Sequence, residues 1–137
     1  MVEVYNVSTT TPTRLGNIST RGLVQTADSV MIGGFVVANQ SAKVIVRAIG
    51  PSLAQFNIPG VLHDPILFLY NDHGDLIFTN DNWQDTQKSD IEATPYAPTD
   101  PAESAILITL AQGSYTAIVR GVNGTTGVAL VEVYELD

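Results

Sequence analysis

The 137-residue chain contains no cysteine, which excludes disulfides, thiolate metal sites and a cysteine nucleophile together. Basic residues are scarce. Six Lys and Arg stand against 14 Asp and Glu, for a formal net charge of −8. Arg14, Arg21, Lys43, Arg47, Lys88 and Arg120 form no cluster, so nucleic acid and anionic membranes, which need grouped cations, are not expected partners. No apolar run of about 18 residues is present, and insertion as a transmembrane helix is not expected. The first residues lack a basic segment followed by an apolar stretch, so no signal peptide is visible. Export without one, a trimmed precursor and an excised piece all stay open. Few lysines with abundant Thr, Asn and Gly point to a secreted or cell-surface bacterial protein.

Sustained helical periodicity is also missing. What is present instead is a series of short apolar runs broken by turn residues. Strands are predicted over 2–7, 14–19, 22–26, 30–38, 43–49, 66–70, 75–79, 104–110, 114–120 and 128–136, rich in Val, Ile, Thr and Tyr. Alternation is clear in several. Tyr115, Ala117 and Val119 share one face against Thr116, Ile118 and Arg120, and Ala129, Val131 and Val133 oppose Glu132 and Tyr134. "NDHGD" (71–75), "AQGS" (111–114) and "NGTTG" (123–127) read as turns. "AIGPSLAQFNIPG" (48–60) reads as a long ordered loop holding one helical turn. Residues 80–104 form the longest irregular stretch. A short helix is predicted near 84–91, and Pro95, Pro98 and Pro101 forbid a long one. Hydrophobic residues make up 45% of the chain, enough for one domain with its own core. About ten short strands with 45% apolar content predict an all-β fold, an antiparallel, jelly-roll-like β-sandwich.

Two resemblances rest on particular blocks. "RLGNISTRG" (14–22), "MIGGFVV" (31–37), "VIVRAIGPSL" (44–53), "DPILFLYNDHGDLIFTNDNW" (64–83), "ESAI" (103–106) and "GSYTAIVRGVNGTTGVALVEVYELD" (113–137) cover nearly the whole chain. Together they resemble a repeated domain of large secreted proteins of environmental bacteria, in which a "VEVY" block ends one unit and precedes the "RLGNISTRG" block of the next. Residues 64–134 are similar to the bacterial pre-peptidase C-terminal domain, a β-sandwich appended to secreted proteases and collagenases. There the shared features are an Asp before a "LxLY" strand, a Gly turn, an "xND" segment and "GxYxxxVxG" before a final strand. Some members of that family bind calcium and polymeric substrates. The long N-terminal half departs from its pattern.

No catalytic site is expected. His63 and His73 fall in loops, and neither GxSxG nor HExxH occurs. Asp81, Asp85, Asp90 and Glu92 are many carboxylates in one stretch, better read as a solvated loop than as an acid–base pair. The same stretch is the candidate calcium site. Asn80, Asp81, Asn82 and Asp85 concentrate oxygen donors and Asp64 is the fifth candidate ligand, with Asp72, Asp75 and Glu103 as further donors. Asx-turns explain the same residues without an ion. Trp83, the lone tryptophan, is the candidate contact for a ligand, against the plainer role of capping the sandwich. Arg47, mid-strand among apolar residues, is expected to pair with a carboxylate or loop carbonyls.

The most informative feature is a repeat. Val-Glu-Val-Tyr occupies 2–5 and recurs at 131–134, almost a full chain length away. The simplest account is that residues 1–7 copy the closing strand of a preceding unit. Both segments then either pair within one sandwich, or the N-terminal strand occupies a neighbour's sheet. An exposed strand edge is a template for the second arrangement, and head-to-tail repetition would build a filament. Residues 1–13 are therefore read as an N-terminal strand and connector, with Val2, Glu3, Val4, Tyr5 and Val7 as the exchanged element, and 14–137 as the sandwich. Function is expected to be that of a non-catalytic extracellular subunit or repeat module whose partner is itself. The alternative is a calcium-dependent adhesion module that binds polysaccharide or protein.

Overall fold

The computed structural model describes residues 2–3 and 17–136. Its strands are β1 (Val2–Glu3), β2 (Asn17–Val24), β3 (Met31–Ile49), β4 (Pro65–Tyr70), β5 (Leu76–Asn80), β6 (Ser104–Gly121) and β7 (Gly127–Leu136). Among the described residues helical structure is confined to α1 (Lys88–Glu92) and two 3-10 turns, Pro51–Phe56 and Val122–Gly124. The sheet order is β2-β7-β3-β6-β4-β5, with β1 on β3, and every strand pair except β1–β3 is antiparallel.

Among the described residues seven strands stand where about ten were expected along the chain, because three predicted breaks are not breaks. Residues 17–24, 31–49 and 104–121 each run as one strand through the anticipated gap. "AQGS" is therefore not a turn. Residues 38–40 of β3 stand opposite Gln112 of β6, and the register shifts between Val37 and Ser41. Gln40 takes a positive φ of 29° there. An extra-residue bulge of this kind bends a strand without ending it. The outer parts of 2–7 and 14–19 lie outside the described residues.

That bend makes one sheet into two layers. Beyond it, β3 pairs β7 through 43–49, and β7 pairs β2. Before it, β3 pairs β6 through 31–37, and β6 pairs β4 through 116–121. Residues from both layers meet in one core: Phe35, Val44, Val46, Leu67, Leu69, Ile106, Val119, Val131 and Val133 are all buried in it. The fold is an all-β, antiparallel sandwich. Alternation decides which residues enter the core, as expected for Ala117, Val119, Ala129, Val131 and Val133.

The outer face of the β2-β7-β3-β6 layer is covered by loops. The 48–60 loop lays Leu53 on Ile49 and Val61, and a Cβ on Gly50 would fall 2.1 Å from the Leu62 carbonyl oxygen, so only glycine fits that approach. The 81–103 segment lays Trp83 and Ile91 on Ile45, Ala105 and Leu107. The β4–β5 hairpin turns on Asn71, whose Oδ1 accepts from the His73 and Asp75 amides, and on Gly74 at φ 81°.

Arg47 projects from β3 onto this covered face. Its Nε and Nη2 donate to Glu132 Oε2, and its Nη1 donates to the Tyr96 carbonyl at 2.8 Å. The guanidinium also lies 5.2 Å from the Tyr134 ring centre, and Tyr134 stacks on Tyr96 at 4.1 Å. Both expected partner types, carboxylate and loop carbonyl, are thus present. Glu132 is 7% exposed, so losing its cation strands a charge. Arg47→Met is expected to destabilise the fold by about 3 kcal/mol. Arg47→Met with Glu132→Leu should recover most of that loss, since an apolar pair replaces an ion pair at little net cost. Urea denaturation of the three proteins checks both outcomes.

Candidate functional site

The two copies of the tetrapeptide meet the same edge of β3. β6 runs along one side of β3 from Met31 to Ala48. On the other side, Val131–Tyr134 pair antiparallel with Ala48–Ile45, while Val2 and Glu3 pair parallel with Gly33 and Gly34. The C-terminal copy is built in deeply. Val131 and Val133 enter the core, Glu132 takes Arg47, and the Tyr134 hydroxyl donates to Glu132 Oε1 at 3.0 Å. Burial, then the Glu132 carboxylate, hold that hydroxyl above its ordinary range, which keeps it a donor. The N-terminal copy is attached differently, as a two-residue parallel strand on a glycine pair. Gly33 is also where β7 crosses closely, since a Cβ there would stand 3.2 Å from Val131 Cγ1. Of the five residues expected in the exchanged element, Val2 and Glu3 lie in β1, whereas Val4, Tyr5 and Val7 lie outside the described residues.

Trp83 does not offer itself to a ligand. It is 5% exposed, packed with Ile45, Ile91, Ala105 and Leu107. Its Nε1 donates to the Asp100 carbonyl at 3.1 Å, and its amide donates to the Glu103 carbonyl at 2.9 Å. This placement matches the capping role that stood beside the ligand contact, because a large apolar ring gains more from the covered sheet face than from solvent.

Of the five candidate metal ligands, Asp64, Asp81 and Asp85 lie close enough for their charges to interact, and the two asparagines are engaged in hydrogen bonds. Asn80 is buried, its Oδ1 taken by the Ala105 amide at 3.0 Å and its Nδ2 donated to the Asn82 carbonyl at 3.0 Å. Asn82 Nδ2 reaches Asp85 Oδ2 at 3.5 Å. Among the described residues, no three His, Asp or Glu side chains converge closely enough to hold a metal ion. Asp81 differs from the rest, because its Oδ1 is buried without a hydrogen-bond partner among the described residues. Burial first, then the charges of Asp64 and Asp85, hold its carboxyl above the usual carboxylate range. The further donors are engaged elsewhere. Asp75 closes the hairpin with Asn71, and Asp72 contacts the exposed His73 at 2.7 Å.

Glu103 was expected only as a spare donor, yet it anchors the covered face. It is fully buried. Its Oε1 accepts from the Gly50 amide at 3.2 Å, the Ser52 amide at 2.9 Å and the Ser52 hydroxyl at 2.5 Å. The carboxylate therefore ties the 48–60 loop to the start of β6. Gln87 is a second residue that sequence reading missed. Its amide bonds the backbone of Leu107 on β6. Neither contact leaves a local signature, since each joins segments far apart in sequence.

No family model matches the chain, and no curated protein matches it. Among solved structures it is similar to the pre-peptidase C-terminal domain of a collagenase from Bacillus anthracis, with a TM-score of 0.53 and 12% identity. The match covers 85% of this chain and 88% of that one. The likeness therefore reaches past residues 64–134 into the N-terminal half, and at this identity it is a likeness of fold. No described helix is long and apolar enough to cross a membrane.

The environment of Asp81 gives a pH signature. A carboxyl whose folded pKa is raised contributes most to stability below its ordinary pKa, and that contribution is lost as pH rises through the folded value. Asp81→Asn should therefore raise the melting temperature at neutral pH. The gain over the parent should vanish near about pH 3, where Asp81 is protonated in both states. Paired thermal melts across pH check the sign.

Proposed function

We propose that the protein is a non-catalytic, extracellular β-sandwich module that assembles head to tail by strand addition. The observation that carries this reading is β1. It is a two-residue parallel strand on an otherwise antiparallel sheet, seated on the edge of β3 that also receives its sequence copy in β7. So short an attachment forms few main-chain bonds, so it opens at small cost. The same bonds re-form equally well on a second copy, whose β3 presents the same Gly33–Gly34 edge. Because donor and acceptor are different surfaces, the contact is heterologous and propagates rather than closing. The resemblance to repeated domains of secreted proteins fits the same picture. In a tandem array, the preceding unit's closing strand would lead directly into the next sandwich. The likeness to a domain of a collagenase supports the non-catalytic, exported reading at the level of fold.

A second reading, a calcium-dependent adhesion module for polysaccharide or protein, is favoured by one observation. The Asp81 carboxylate, whose Oδ1 has no partner among the described residues and whose pKa is raised by burial first and then by Asp64 and Asp85, would gain from a cation as it does from a proton. Millimolar calcium should then raise the melting temperature of the parent and leave Asp81→Asn unmoved; equal shifts in both proteins would count against the reading.

For the principal reading, light scattering and electron microscopy of the full chain are expected to show elongated oligomers. Deletion of residues 1–12 should reduce them to monomers. An unchanged oligomeric state after the deletion would overturn strand exchange.

A further inference from the structure

The far edge of β6 is a further place where this sheet leaves main-chain bonding groups without a neighbouring strand. Residues 104–111 of β6 pair with β3 on one side, whereas β4 pairs with β6 only from Thr116 onward. On the side away from β3, this stretch is met by side chains instead of a strand. The Ala105 amide donates to Asn80 Oδ1 at 3.0 Å. The Leu107 amide donates to Gln87 Oε1 at 3.0 Å, and Gln87 Nε2 donates back to the Leu107 carbonyl at 2.7 Å. The Ala111 carbonyl accepts from the Tyr115 hydroxyl at 2.9 Å. Outward groups at residues 105, 107 and 111 are thus occupied, in step with the two-residue period of a strand.

The Gln87 contact carries the argument. One primary amide gives Leu107 a donor and an acceptor together, which is what a residue of a neighbouring antiparallel strand supplies in a hydrogen-bonded pair. Ala105 is fully buried and Leu107 is 7% exposed, so these groups need partners from protein rather than from bulk water. A carbonyl and an amide left bare on a strand edge are a template for another chain.

We propose that Gln87, with Asn80 and Tyr115, is an intramolecular guard that keeps the β6 edge closed to a second copy of this chain. An edge of this kind pairs antiparallel with the same edge of a second molecule about a two-fold axis, so the association it prevents is a closed dimer. It differs in surface and in symmetry from the open assembly through β1, and its test does not depend on that reading.

Gln87→Ala in the full chain removes both bonds to Leu107. Relative to the parent, sedimentation velocity should show a new species of doubled mass that grows with concentration. At low concentration the Leu107 amide should exchange hydrogen about tenfold faster. By alternation the Thr109 amide also points away from β3, and Thr109 is exposed. Thr109→Pro there removes no ladder bond and blocks an incoming strand. The double variant Gln87→Ala/Thr109→Pro should return to the parent's size. If Gln87→Ala is too unstable to purify, Gln87→Met keeps the side chain's bulk and loses both bonds to Leu107, and the same dimer is expected. Parent-like size and unchanged Leu107 exchange in Gln87→Ala, or in Gln87→Met where that stands in, would overturn the proposal. So would a dimer that persists with Thr109→Pro.

Discussion

The pairing of β3 with β6 is the constraint on which the other elements depend. These two strands run antiparallel from Met31 opposite Val119 to Ala48 opposite Ser104, and they carry the ladder past the bulge at 38–40 without separating. Each therefore belongs to both layers. β7 and β2 attach to one end of β3, β4 and β5 attach to one end of β6, and the bend brings their apolar faces together. A sandwich made this way has its layers joined through continuous strands, so interlayer packing and strand pairing fail or hold together.

The same pairing leaves particular stretches of edge without a strand, and the chain treats them differently. Along β3, Gly33 and Gly34 receive the two-residue β1. Along β6, the corresponding groups receive side chains from Asn80, Gln87 and Tyr115. Main-chain groups at a buried edge need partners whichever way they are supplied. A two-residue strand is held by fewer main-chain bonds than a long one, and this contrast underlies the proposals of an assembly surface on β3 and of a closed surface on β6.

Polar side chains of the covered face serve the irregular segments rather than the sheet. Glu103 gathers the amides of Gly50 and Ser52. Arg47 reaches across Glu132 to the Tyr96 carbonyl. With Trp83 inserted above Ile45 and Leu107, these contacts fix residues 81–103, a stretch whose three prolines exclude long helix and whose short helix begins only at Lys88. The order of this region comes from long-range bonds to the sheet.

By itself, the sequence determined the fold class, the faces and most of the turns. Alternating Ala and Val at 117–119 and 129–133 encode which side enters the core, because side chains on a strand alternate with period two regardless of the partner. The Asn-Asp-His-Gly turn and the paired fate of Arg47 were equally legible, since turn chemistry and the cost of a lone buried charge are local facts. Tertiary structure decided the rest. Whether "ANQSA" and "AQG" end a strand or bend it depends on the strand opposite. Whether Trp83 faces solvent or sheet depends on an apolar surface made by residues 45, 105 and 107. Whether Asn80 is a cation ligand or a partner for the Ala105 amide depends on which atoms folding places within 3.0 Å. Each of these outcomes is a contact between segments distant in the chain, and such contacts leave no periodic trace in either segment alone.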